Sequence, residues 1–202
     1  TTSTMKLEKI EPLDSPNYLR LIFDDGKRLK APAFKVVELG LTIGAEVSPE
    51  DFLALENAQS FASCKERAVR ILTASGLSKK ELQKRLVQKG ESEEDAEAAI
   101  SWLEELHLID DLETAKQLVR SANLRGYGRA RAKSILYEKG IPKELWDEAL
   151  SEFGETDGAI DAFLRKKLSG RTLDQKTIKK AVDALIRRGH SYHDIQEGLR
   201  RL

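Results

Sequence analysis

Leu82-Gln83-Lys84-Arg85-Leu86-Val87-Gln88-Lys89-Gly90 returns in outline 50 residues later as Ala132-Lys133-Ser134-Ile135-Leu136-Tyr137-Glu138-Lys139-Gly140. It returns again, after a further 49, as Ala181-Val182-Asp183-Ala184-Leu185-Ile186-Arg187-Arg188-Gly189. In this register Leu82, Ala132 and Ala181 coincide, as do Leu86, Leu136 and Leu185, and further on Ile100, Leu150 and Leu199. Each copy reads as an amphipathic helix closed by a cation and a Gly. The Gly suits the left-handed residue past a helix end, and the cation suits the negative end of the helix dipole. A second helix follows, opened by Ser92 with Asp95 in the first copy, Pro142 in the second, and Ser191 with Asp194 in the third. Ser78 with Glu81 opens the first helix of the first copy in the same way. A further amphipathic segment precedes each pair, at 61–75, 111–123 and 157–168. A unit of this length, repeated three times, predicts stacked three-helix modules in an elongated, curved array, because each module buries its apolar face against the next. The expected modules are residues 61–110, 111–156 and 157–202.

Upstream the periodicity changes. Tyr18-Leu19-Arg20-Leu21-Ile22-Phe23 and Arg28-Leu29-Lys30-Ala31 alternate around Asp24-Asp25-Gly26-Lys27, whose Gly supplies the positive φ of a hairpin turn. Lys6-Leu7-Glu8-Lys9-Ile10 offers a third strand, and Phe34–Gly40 a short helix ending at its Gly. Two or three short strands are marginal alone and need a helix to pack on. Ser48-Pro49-Glu50-Asp51 is an N-cap, a first-turn Pro and two acids at the positive dipole end, so helix runs from there to about Ser75, in one piece or two. Residues 1–60 are therefore an extension with a β-hairpin, Thr1–Thr4 are expected to be irregular, and the fold class is mainly α.

The chain has 202 residues, with 34 Lys plus Arg against 34 Asp plus Glu and 6% aromatics, which suits a surface-rich helical protein better than a large α/β enzyme. Zero net charge conceals a gradient. Residues 1–115 carry 15 basic and 22 acidic side chains, a net −7, while residues 116–202 carry 19 and 12, a net +7. Separated charge points to a polar partner or to self-association. One Cys excludes an internal disulfide framework and fits a reducing compartment, no apolar run is long enough to span a bilayer, and a cytoplasmic monomer is expected.

Catalytic constellations are hard to find. His190 and His193 straddle a helix start without a ligand cluster, and Cys64 has no adjacent His, so neither a metal nor a thiol nucleophile is expected. Gly126-Tyr127-Gly128 follows no strand and has Arg131 where a dinucleotide fingerprint wants Gly. Asp110-Asp111 could contribute to a Mg²⁺ site for hydrolase or nuclease chemistry; the simpler reading makes Asp111 the cap of the following helix. No cofactor and no enzymatic activity are expected.

The basic residues say more. Arg120, Arg125, Arg129, Arg131 and Lys133 surround Tyr127 in the middle copy. Arg165-Lys166-Lys167, Arg171, Lys176, Lys179-Lys180, Arg187-Arg188 and Arg200-Arg201 continue in the third. Clustering at corresponding places in consecutive modules predicts a positive face for phosphates or for a partner's carboxylates, with Tyr127 placed to stack there or to close its own turn.

Ser78-Lys79-Lys80-Glu81-Leu82, Leu86, Lys89-Gly90, Leu108-Ile109-Asp110-Asp111, Ala115, Gly128-Arg129, Lys139-Gly140-Ile141 and Arg188-Gly189-His190-Ser191 together resemble the RecX regulatory proteins of bacteria, over roughly residues 66–202. The pattern departs from the family at Thr114, where an aromatic is usual, and at Ser75-Gly76-Leu77, where a more basic stretch is usual. The resemblance implies a curved array of three-helix repeats lodged in the groove of the RecA filament. It implies restraint of filament extension, strand exchange, ATP hydrolysis and LexA cleavage, with the ATP belonging to RecA. Gly90, Asp110, Asp111, Gly140 and Gly189 then belong to the structural motif. The alternative is a helical module whose basic second half holds DNA directly, single-stranded DNA within the filament included.

Overall fold

The computed structural model describes residues 3–202; the expectation for Thr1–Thr4 lies outside the described residues at Thr1 and Thr2, and Ser3 and Thr4 carry no regular structure. The chain divides into two compact units, residues 1–75 with 83–103, and residues 76–82 with 104–202.

In the first unit, the alternation upstream becomes a four-stranded antiparallel sheet. Strands β1 (Met5–Pro12), β2 (Tyr18–Phe23), β3 (Arg28–Pro32) and β4 (Glu46–Val47) lie in the order β3-β2-β1-β4. The β2–β3 turn is closed by Gly26 at φ +84° and by the Lys27 N–H, which donates to the Asp25 carboxylate at 2.9 Å. One face of the sheet, with Leu7, Leu21, Phe23, Leu29 and Ala31, packs with Val36 of α1 (Ala33–Glu38) and Leu55 of α2 (Pro49–Ala74). Helix α1 is followed by Gly40 at φ +63°, and α2 is one continuous helix of 26 residues. Ser48 caps it by accepting the Asp51 N–H at 3.1 Å. The strand that sequence reading did not anticipate is β4, whose two residues are too few to show a period. Helices α3 (Lys79–Gln88) and α4 (Glu93–Glu105) complete the first repeat. Within the first unit Arg67 pairs with Glu91 at 3.3 Å and donates to the Lys89 carbonyl at 2.6 Å.

The second unit holds α5 (Asp111–Leu124), α6 (Arg129–Glu138), a 3-10 turn (Lys143–Leu145) leading into α7 (Trp146–Leu150), then α8 (Asp157–Leu168), α9 (Gln175–Arg187) and α10 (Tyr192–Arg200). Two apolar cores result. Ala115, Val119, Ala132, Leu136, Ile141 and Leu150 form one from α5 to α7, and Ile160, Leu164, Ala181, Leu185 and Ile195 form the other from α8 to α10. The superposed Leu86, Leu136 and Leu185 are all fully buried, which is why the repeat is visible in sequence. Gly90, Gly140 and Gly189 stand at φ +98°, +71° and +91°, the left-handed region where a side chain is penalised. Ser78, Ser92 and Ser191 each accept the N–H three residues on at 3.1 Å. Pro142 opens the 3-10 turn, so the last helix of the middle repeat is much shorter than its counterparts.

The structure corrects the assignment at the Asp pair. Asp110 is the cap of α5, accepting from Leu112 N–H at 2.9 Å and Glu113 N–H at 3.3 Å. Asp111 is buried and accepts instead from Lys79 N–H at 2.9 Å, at the start of α3. Extended backbone at Asp110 (φ −149°, ψ 109°) suits the cap position, while Asp111 already lies in the helix. Beside it the buried Ser78 hydroxyl donates to the Lys139 carbonyl at the end of α6.

Candidate partner-binding surface

The predicted basic residues separate into two groups with different surroundings. The first centres on the loop between α5 and α6. Gly126 takes φ +74°, and the chain then runs against the end of α9 backbone to backbone. Gly128 N–H donates to the Arg188 carbonyl at 2.8 Å, and Ala130 N–H to that of Gly189 at 3.2 Å. A Cβ on Gly128 would stand 2.2 Å from the Gly189 carbonyl, and one on Gly189 2.2 Å from the Arg131 nitrogen. Both positions therefore exclude every side chain, Ala included. Around this contact Arg188 donates to the Arg125 carbonyl at 2.6 Å, and its guanidinium lies 5.0 Å from the Tyr127 ring centre and 5.8 Å from that of Phe163. The buried His190 shares a hydrogen bond with the Gly126 carbonyl through Nε2 at 2.9 Å, while its Nδ1 has no partner. Burial holds the His190 imidazole below its ordinary pKa, the bond to Gly126 opposes this, and neighbouring Arg188 adds to the lowering.

Several cations of this group already have partners. Arg120 bonds Glu113 at 2.9 Å and Glu152 at 3.0 Å, and Arg131 bonds Glu138 at 3.0 Å. Arg125, Arg129 and Lys133 are exposed and make no ion pair among the described residues. Arg129 and Lys133 line a cleft of about 590 Å³ whose other walls include Glu155, Asp157 and Asp194, a surface of mixed sign.

The second group is different. Lys167, Arg171, Lys176, Lys180 and Arg187 line a cleft of about 510 Å³ between α8 and α9, with Asp183 the one acidic residue of the lining. None of the five makes an ion pair among the described residues. Arg165, Lys166 and Lys179 are likewise exposed on these helices without a carboxylate partner. Arg200 and Arg201 are committed to Glu197 and to Asp157 and Asp161. Five cations without ion pairs around one cleft give it a positive local potential.

Sequence reading named both groups but not their difference. It also missed the Gly128–Gly189 contact, because these two Gly residues hold different places in the repeat, one before α6 and one after α9, and no spacing pairs them. Burial pushes the Cys64 thiol up to about 11, so it stays protonated near neutrality. Among the described residues no group of three or more His, Cys, Asp or Glu is arranged to hold a metal, and no helix is long and apolar enough to cross a membrane.

Residues 64–103 match the family model for the first three-helix domain of RecX, and residues 110–150 match the model for its second three-helix domain. Regulatory protein RecX of Clostridium beijerinckii is 31% identical over 166 residues, covering 80% of this chain and 77% of the relative. Regulatory protein RecX of Vibrio parahaemolyticus is 32% identical over 139 residues, 68% of this chain and 90% of the relative. A crystal structure of regulatory protein RecX superposes with a TM-score of 0.79 at 21% identity, over 96% of this chain and 99% of the other. That of RecX from Lactobacillus salivarius gives 0.64 at 22%, over 72% and 97%. Both structures share the fold.

Proposed function

This chain belongs to the RecX family of regulatory proteins, and from that membership we propose that it is a non-enzymatic regulator that binds the RecA–DNA filament and restrains its extension, ATP hydrolysis and strand exchange. The observation that carries the reading is the identity shared with regulatory proteins over 80% of the chain. The unpaired cations of α5–α10 support it chemically, because a filament containing DNA presents phosphates beside protein carboxylates. The working modules are residues 61–110, 111–156 and 157–202, with residues 1–60 as an extension. Arg125, Arg129, Lys133, Arg165, Lys166, Lys167, Arg171, Lys179, Lys180 and Arg187 are the contact residues. Tyr127, Arg131 and Arg188 hold the loop that presents the first three, and Arg120 braces α5. Electrostatics then set the rate and orientation of encounter, with packed anchors supplying affinity.

Titrating the protein into RecA on single-stranded DNA should depress ATP hydrolysis at stoichiometric amounts. Undiminished hydrolysis would sink the reading.

The α8–α9 cleft favours a second reading, direct binding of DNA by the basic half. Its signature is salt dependence: affinity for free DNA falls as salt rises, with a slope set by the number of phosphates neutralised. Strong inhibition of RecA alongside negligible affinity for free DNA would remove it.

A further inference from the structure

The first unit contains a groove that the regulatory surface of α5–α10 does not use. It has a volume of about 620 Å³ and runs between the start of β2, the junction of β3 with α1, and the faces of α2 and α4. Tyr18, Phe34, Lys65, Glu66, Arg70 and Trp102 define it. Its apolar wall is built rather than incidental. Tyr18 is buried and its hydroxyl donates to Glu66 at 2.8 Å; burial first, and then the Glu66 carboxylate, raise that hydroxyl's pKa to about 12. Lys65 places its ammonium 4.9 Å from the Trp102 ring centre and 4.6 Å from that of Phe61. Phe34, in contrast, is 61% exposed at the first turn of α1, an aromatic left facing water at the edge of a concavity.

The rim is positive although this half of the chain is acidic overall. Lys65 and Arg70 make no ion pair among the described residues, and Lys30 sits over the Tyr18 ring at 4.2 Å. The one carboxylate, Glu66, already accepts the Tyr18 hydroxyl. An apolar trough edged by cations that lack carboxylate partners complements a segment that carries acids on either side of an apolar residue. Single-stranded nucleic acid fits less well. Successive bases need several open ring faces, yet Lys65 lies over the Trp102 face and Lys30 over that of Tyr18, which leaves Phe34 alone open.

We propose that this groove is a docking site for an acidic peptide segment of a partner protein, with an aromatic or aliphatic side chain seated against the exposed Phe34, beside Trp102, and flanking carboxylates on Lys65 and Arg70. The site lies wholly within residues 16–102 and goes beyond the regulation of RecA.

The test uses the full chain with no RecA present. The probe is an array of acidic dodecapeptides with Phe, Trp, Leu or Met at the centre, beside a matched array in which every acid is Lys. Acidic members should bind and shift the indole N–H resonance of Trp102 while that of Trp146, in the second unit, stays in place. Phe34→Ala should weaken binding about tenfold or more, as loss of an anchor does. Arg70→Glu should weaken it and flatten its salt dependence. Both residues are solvent-facing, so melting behaviour should not change. Binding by neither array, equal binding by the Lys array, displacement by a thymidine oligomer, or unchanged affinity in Phe34→Ala would each overturn the proposal.

Discussion

The α5–α6 loop and the α8–α9 cleft carry similar numbers of basic residues and look alike in sequence, but they are chemically different places. In the loop the cations are divided: Arg125, Arg129 and Lys133 make no ion pair among the described residues, while the other three are engaged. Arg188 has a carbonyl and two aromatic faces, Arg131 has Glu138, and Arg120 has two glutamates. In the cleft Lys167, Arg171, Lys176, Lys180 and Arg187 make no ion pair among the described residues, with Asp183 in the lining and Asp174, the cap of α9, near Lys180. An engaged cation stabilises a joint and contributes little field outward. A free one is held at some cost in self-repulsion, which an arriving anion relieves. Equal charge counts therefore correspond to one region that mixes braced and unpaired cations and one whose cations are all without an ion pair among the described residues.

Breaking the joint should have the largest effect. Gly189→Val puts a branched side chain into backbone 2.2 Å away at φ +91°, and should cost about 3 kcal/mol or more. Thermal melting checks this: a large fall in melting temperature is expected, whereas Gly90→Val, also at positive φ but with nothing within 4 Å of its Cβ, should fall by much less. A fall of equal size in both would mean that left-handed backbone, not the close approach, is what matters at Gly189.

Reversing the free cleft should affect function instead. A combined Lys167→Glu, Arg171→Glu, Lys180→Glu and Arg187→Glu variant should melt like the parent, while inhibiting RecA poorly. Its salt slope on DNA should be smaller, by about one for each phosphate that is no longer neutralised. Arg188→Ala should do the opposite. It should lower stability by about 1–3 kcal/mol, because the carbonyl bond and the ring stacking disappear, while the salt slope barely moves. Should Arg188→Ala change the slope and the cleft variant leave it intact, the division would be reversed.

The smallest expected effect sharpens the picture of the joint. The folded His190 pKa lies below its ordinary 6.5, so the unfolded chain takes up a proton more readily than the folded one. Stability contributed by neutral His190 is complete above the ordinary value and declines as pH falls through it. Denaturant midpoints should therefore drop between about pH 7.5 and pH 5.5, and drop less in His190→Gln. An equal drop in the variant would assign the effect to other groups.

Much of this was legible beforehand because it repeats. Leu86, Leu136 and Leu185 are buried in every copy, and Gly90, Gly140 and Gly189 end their helices in the same conformation, so three independent instances carry one message. The hairpin showed through its alternation and its Asp-Gly turn. What did not repeat was harder to place. Strand β4 is too short for a pattern. Asp110 and Asp111 are chemically identical neighbours, and only the backbone conformation tells which of them caps α5 and which reaches back to Lys79.

Local order is decided by near neighbours in the chain: helix faces, caps and turns depend on spacings of two to four residues, and the amino-acid sequence determined them for this protein. Membership of a repeat family followed from the same spacings. Only the tertiary structure decided which cations are free, because an ion pair such as Arg120 with Glu152, or a stack such as Arg188 on Tyr127, joins residues 32 and 61 positions apart. The same holds for the contact of Gly128 with Gly189 and for the groove at Phe34 and Trp102. Coulomb and packing forces act through space, and the distances they depend on are set when the helices pack.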